Sequence, residues 1–196
     1  GGLESVSRNI NHKSANLKFF EVGNTYIYNK EKWDAENPIK GYNQEGHISL
    51  FITGKRVEGN WAHADEQSSI YELKAVVENI LRRVGMPFNN VVVKHSDNNI
   101  FSKGVQYETR AGKVLVELGI LSHKLKKAFD IEQDVFYADV HWDNLMKAIK
   151  KVNLTYTDIS KYPSVSRDLA LLVDKNVEFE QIEQIARQTE KKLLKS

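Results

Sequence analysis

Residues 161–174 read K-Y-P-S-V-S-R-D-L-A-L-L-V-D, and this stretch divides the chain. Pro163 biases Tyr162 toward extended backbone and away from helix, just after residues 150–160, where the apolar pattern weakens. The run L-A-L-L-V at 169–173 is too short for a helix and predicts a β-strand. Behind it, Phe179, Ile182, Ile185, Ala186, Leu193 and Leu194 recur at helical spacing. One strand and one helix cannot enclose a core. The second unit, residues 154–196, is therefore expected to be incomplete, its apolar faces leaning on residues 1–153 or on another chain.

The larger first unit is expected to be α+β. Its strongest helix signal spans 69–85, where Ser69-x-x-Glu72 fits a capping box and Ile70, Leu73, Val76, Val77, Ile80, Leu81 and Val84 form one apolar stripe that stops at Gly85. A shorter helix is predicted from Leu3, Val6 and Ile10 before the polar run N-H-K-S-A-N. Residues 17–28, L-K-F-F-E-V-G-N-T-Y-I-Y, are rich in aromatic and β-branched side chains, so a strand is expected, with a kink or bulge near Gly23. The nearly continuous apolar run H-I-S-L-F-I-T at 47–53 predicts a strand covered on both faces. Further strands are predicted at 91–93, at 104–110 and 113–118 joined by an Ala111-Gly112 hairpin turn, and at 135–140. Short helices are predicted at 122–129 and 143–151. Strands outnumber helices, which implies a mostly antiparallel sheet with a long helix over one face.

Composition narrows the chemistry. Hydrophobic residues make up 41% and charged residues 28% of the 196, enough for a packed core. The absence of cysteine excludes disulfides, thiolate nucleophiles and cysteine-based zinc sites. No apolar run approaches the ~20 residues of a membrane span, and the start G-G-L-E-S-V is unlike a signal peptide, so a cytoplasmic location is expected. Both ends read as though they cut through helices. Of the 28 basic residues 21 are lysine and seven arginine; diffuse lysine marks solvated surface more often than a nucleic-acid footprint.

The segment 161–174 followed by V-E-F-E-Q-I-E-Q-I-A resembles the opening of the ferredoxin-like anticodon-binding domain in β subunits of bacterial phenylalanyl-tRNA synthetases, a family that writes it as aromatic-Pro, Arg-Asp-Leu and an apolar strand. Upstream, G-L-E-S-V-S-R-N-I-N-H-K, L-K-F-F-E-V-G-N-T-Y and I-Y-E-L-K-A-V-V-E-N-I-L, the last preceded by Gly59-Asn60-Trp61, are similar in order to the catalytic-like module of the same subunit. The resemblance covers nearly the whole chain and implies a C-terminal fragment with a class II synthetase-like antiparallel sheet flanked by helices, followed by a truncated ferredoxin-like unit. It implies an α-subunit partner, tRNA(Phe), an α2β2 heterotetramer, and ATP with Mg for the complete enzyme, but no cofactor in this part. Class II activation uses arginines on two strands to steady the ATP phosphates. Here the strand L-K-F-F-E-V-G-N carries Glu21 and no arginine, and V-F-Y-A-D-V-H-W has neither arginine nor Gly-x-Gly. No catalytic residue is therefore expected, and the chain alone is expected to be inactive.

Other candidates have plainer explanations. Asp139-x-His141-x-Asp143 offers three ligand types, but a metal site requires a distant second histidine that nothing in the sequence marks, and Asp143 is expected to cap the next helix. His63-x-Asp65 beside Trp61 is treated alike, so no metal site is expected. Arg167, with Lys161, is the candidate RNA contact, arginine also serving as a structural ion-pair partner. Lys124, Lys126 and Lys127 are expected to form an exposed helix face. Tyr26, Tyr28 and Trp33 could stack on bases but fit core or interface as well. The rival functions are a free-standing RNA-binding module and a small hydrolase built on Asp139, His141 and Asp143.

Overall fold

A computed structural model of the chain describes residues 1–150, 158, 161–190, 193 and 194. Its residues group into two compact units, Gly1–Leu154 and Thr155–Ser196. The boundary expected at 153/154 and the end of the helix expected at 143–151 lie outside the described residues.

In the first unit, helix α1 (Gly2–Asn11) leads into strands β1 (Leu17–Tyr28) and β2 (Tyr42–Thr53), a small ribbon of β3 (Lys55–Val57) and β4 (Glu66–Gln67), and helix α2 (Ile70–Arg83). Strands β5 (Val91–His95), β6 (Phe101–Thr109) and β7 (Val114–Leu121) follow, then α3 (His123–Ala128), β8 (Val135–His141) and α4 (Trp142–Ile149). Six strands form one antiparallel sheet in the order β1-β2-β8-β7-β6-β5, so the last strand in sequence lies between β2 and β7 at the centre. Gly112, at φ +75°, closes the β6–β7 hairpin in the left-handed region.

Period-2 alternation sorts the strands onto two faces. On one, Leu50 and Ile52 of β2, Tyr107 of β6, Val116 and Leu118 of β7 and Phe136, Ala138 and Val140 of β8 bury against Leu73, Val77 and Leu81 of α2 and Leu145 of α4. Each buried Val, Leu, Ile or Phe side chain among them contributes about 1.5–3 kcal/mol by leaving water. On the other face a second cluster, with Val6 of α1, Leu17, Phe51, Phe101, Leu121 and Val135, covers one end of the sheet. The residues of β2 from Leu50 to Thr53 are thus buried from both sides, as their apolar run predicts.

Several local expectations change. β1 pairs with β2 in unbroken register, Gly23 opposite His47, so there is no bulge. Ser69 Oγ accepts the Glu72 N–H at 3.4 Å, but Glu72 turns to Lys18, at 2.6 Å, instead of closing the box. Asp143 does not cap α4. Its Oδ2 accepts the Gly46 N–H at 2.7 Å, tying that helix to β2, because β8 places it beside the β2 backbone. Lys126 is not part of a solvated face, since α3 buries it and its ammonium pairs with Asp134 at 2.6 Å.

In the second unit, α5 (Phe179–Thr189) forms as its stripe predicts, though Leu193 and Leu194 fall beyond its end. Residues 169–173 form no strand, and Leu169 and Leu172 are exposed. A β-strand is made by its ladder, and among the described residues of this unit no second strand supplies one.

A carboxylate-lined face as the candidate functional site

The uncovered part of the second sheet face carries the titratable groups. Register places Glu21, Ser49, Asp139, Glu117, Gln106 and Lys94 in one row, one residue from each of the six strands. Beside it, His47 of β2 stands directly opposite His141 of β8, with ring centroids 4.8 Å apart.

Hydrogen bonds fix these side chains. His47 Nδ1 lies 2.9 Å from Asp139 Oδ1, and its Nε2 lies 3.1 Å from Thr25 Oγ1. Ser49 Oγ and Tyr137 OH share a hydrogen bond of 3.1 Å. Burial pushes the Tyr137 phenol above its ordinary range; the bond to Ser49 opposes this, and the carboxylates of Asp139, Glu117 and Glu21 add to it. The β5–β6 connection folds over the row: Ser96 Oγ donates to Glu117 Oε1 at 3.2 Å and Asn98 Nδ2 to Oε2 at 3.4 Å. Gln106 Nε2 donates to Glu108 Oε1 at 2.7 Å, and Lys94 pairs with that same Glu108.

The floor of the face is filled by the protein itself. Gly119 of β7 pairs with Gly104 of β6, and the Phe101 ring lies over both. A β-carbon on Gly119 would meet the Lys103 carbonyl oxygen at 2.4 Å and the Phe101 ring at 2.6 Å, so only glycine admits this approach.

The face therefore presents Glu21, Glu108, Glu117 and Asp139 against one lysine, Lys94, which Glu108 already engages, while none of the six strands contains an arginine. A nucleoside triphosphate brings several negative charges and requires cations or a bound metal to hold them. These residues do not fit ATP. A concavity of about 430 Å³, open to solvent, lies elsewhere, with α1 and Phe129 among its walls.

In the first unit, the sequence candidates His63, Asp65, Tyr26, Tyr28 and Trp33 are not part of this row. His63 is exposed, and Asp65, whose carboxyl the Lys55 ammonium and then the Gly59 N–H hold below its usual range, is engaged in its own loop. Tyr28 stacks on Tyr42 with centroids 5.2 Å apart, and Trp33 packs near Gly41. Arg167 and Lys161 are both exposed in the second unit. The sequence reading weighs Asp139 and His141 as ligands and sets them aside for want of a second histidine; His47, which β2 places opposite His141, is that histidine, and the H at the head of the 47–53 strand was the available signal.

An α+β protein with a central antiparallel sheet, a carboxylate-lined face and a separate helical unit is the class these features define. Within it, the chain belongs to the phenylalanyl-tRNA synthetase beta chain family: a family model described as "Phenylalanyl tRNA synthetase beta chain CLM domain" matches residues 1–142. A second, "Ferredoxin-fold anticodon binding domain", matches residues 160–196. The phenylalanine–tRNA ligase beta subunit of Bacteroides thetaiotaomicron is 52% identical over 195 residues, and those of Bacteroides fragilis and Porphyromonas gingivalis are 50% and 42% identical. Each alignment covers 100% of this chain and 24% of the relative, so the chain spans about a quarter of their length. Among solved structures, a pyrrolysyl tRNA synthetase from Desulfitobacterium hafniense is similar at a TM-score of 0.49 and 14% identity, covering 76% of this chain and 48% of that one.

Proposed function

We propose that this chain is a scaffold and tRNA-side part of a phenylalanine–tRNA ligase beta subunit, and that it has no aminoacylation site of its own. Residues 1–153 form the class II-like, noncatalytic module, and residues 154–196 open a ferredoxin-like anticodon-binding domain. The complete enzyme, an α2β2 assembly in the cytoplasm, joins phenylalanine to tRNA(Phe) at the expense of ATP with Mg. Both nucleotide and metal belong at the α-subunit site. One observation carries this reading: in a chain matched along its whole length by such β subunits, the sheet face offers carboxylates where phosphate chemistry needs cations.

The first sheet face supports the α-subunit partnership. β1 is an edge strand, and its side chains Phe20, Val22 and Tyr26 are 74%, 68% and 66% exposed where α2 and α4 cover the central strands instead. Such an apolar patch on an open edge marks a protein interface. Lys161 and Arg167 are the RNA contacts of the second unit. Coexpression of the full β subunit with α is the test: Phe20→Asp with Tyr26→Asp should weaken recovery of the complex, and unchanged recovery would remove β1 from the interface.

A further inference from the structure

We propose that Glu45, His47 and His141 form a binding site for a zinc-class divalent cation, with Asp139 orienting one of the histidines. One ligand atom from each of the three lies within 4.8 Å of the other two. The set is two imidazoles and one carboxylate, the donor combination that zinc accepts with a fourth position left for water.

The sheet builds the site by register. Glu45 and His47 are two residues apart on β2 and share a face, and antiparallel pairing sets His141 opposite His47. Strand β1 adds Thr25, which pairs with Glu45 and holds His47 Nε2 at 3.1 Å. His47 Nδ1 meanwhile faces the Asp139 carboxylate at 2.9 Å. A carboxylate on one ring nitrogen fixes the tautomer and raises the basicity of the other, which is how metal-ligating histidines are commonly supported. Thr25 then occupies the position that the cation would take over.

His141 lacks the support that His47 has. Its Nε2 is inaccessible to solvent and has no hydrogen-bond partner; the nearest carboxylate oxygen, Asp139 Oδ2, is 3.9 Å away. A buried imidazole nitrogen without a partner is unfavourable, and a coordinated cation would supply that partner. The adjoining cleft, about 220 Å³, has Glu45 and His141 in its wall and provides an entry path. Tetrahedral ligands about 2.0–2.2 Å from zinc stand roughly 3.4 Å apart, so side-chain rotations of about 1 Å complete the site without moving the strands. The bound ion would cross-link β2 to β8.

The test uses the full 196-residue chain, stripped with chelator and titrated with Zn²⁺ by calorimetry, with Co²⁺ in parallel for the visible bands of a tetrahedral site. One equivalent should bind and raise Tm. His47→Ala and His141→Gln should each weaken binding by at least about 100-fold, and Asp139→Asn by about 10–100-fold. His63→Ala should change nothing. Circular dichroism at the start of each titration checks folding, and the conservative His141→Gln serves where alanine disrupts the sheet. Absence of binding by the native chain, or binding that survives His47→Ala and His141→Gln, would overturn the proposal.

Discussion

Replacing Gly119 with alanine should destabilise the first unit by an amount that the geometry sets. The new β-carbon would stand 2.4 Å from the Lys103 carbonyl oxygen and 2.8 Å from the Gly104 α-carbon. Both are backbone atoms in the adjacent strand, so relief requires β6 and β7 to part, and the Phe101 ring at 2.6 Å must also move. Overpacking of this kind costs about 1–3 kcal/mol. For a chain of this size Tm should fall by roughly 2–12 °C, at about 2–4 °C per kcal/mol. Gly23→Ala is the internal control, because nothing lies within 4 Å of a β-carbon there; a gain of about 0.4–1 kcal/mol is expected from the stiffer unfolded chain. Thermal melts followed by circular dichroism decide the matter. A Gly119→Ala variant that melts with the native chain would refute the reasoning that these glycines exist to seat Phe101.

Asp143→Ala should release the Gly46 N–H and cost about 1.5–3 kcal/mol, the range for a hydrogen bond to a charged acceptor, with faster amide exchange at Gly46 as the local signature. Burial, reinforced by Glu78, pushes the Tyr107 phenol well above the ordinary tyrosine range. The folded state thus holds a proton that the unfolded state releases in alkali, so stability is intact below the ordinary tyrosine pKa and falls as pH rises through and above it. Denaturant melts should show a shallower alkaline decline for Tyr107→Phe. In the complete enzyme, Arg167→Ala should weaken tRNA binding and lower the slope of log affinity against log salt by about 1, a result that filter binding at several salt concentrations can read.

How much of this was legible in the sequence depended on the range of the contacts. The α2 stripe from Ile70 to Val84 and the alternation in 135–140 depend on neighbours within one element, and both elements stand where they were expected. Gly23 misled because glycine is as compatible with a regular edge strand as with a bulge when nothing crowds it. The apolar run 169–173 misled for the opposite reason, since composition signals a strand while pairing makes one. The sheet face was half legible. The Asp139 and His141 pair is local, but the histidine that completes it comes from a strand 92 residues before Asp139, and only the insertion of β8 beside β2 joins them. Asp143 likewise serves a backbone amide 97 residues away, which no capping pattern reveals.

The proposed division of labour follows from charge. A sheet face that carries Glu21, Glu108, Glu117 and Asp139 and no arginine repels phosphates, and for that reason the function proposed above assigns amino-acid activation to a partner subunit. Exchange of labelled pyrophosphate into ATP, dependent on phenylalanine, is the most direct measurement of that claim. The purified 196-residue chain should give no exchange above buffer, while the proposed complete enzyme with its α subunit should give it readily; phenylalanine-dependent exchange by the chain alone would contradict the account.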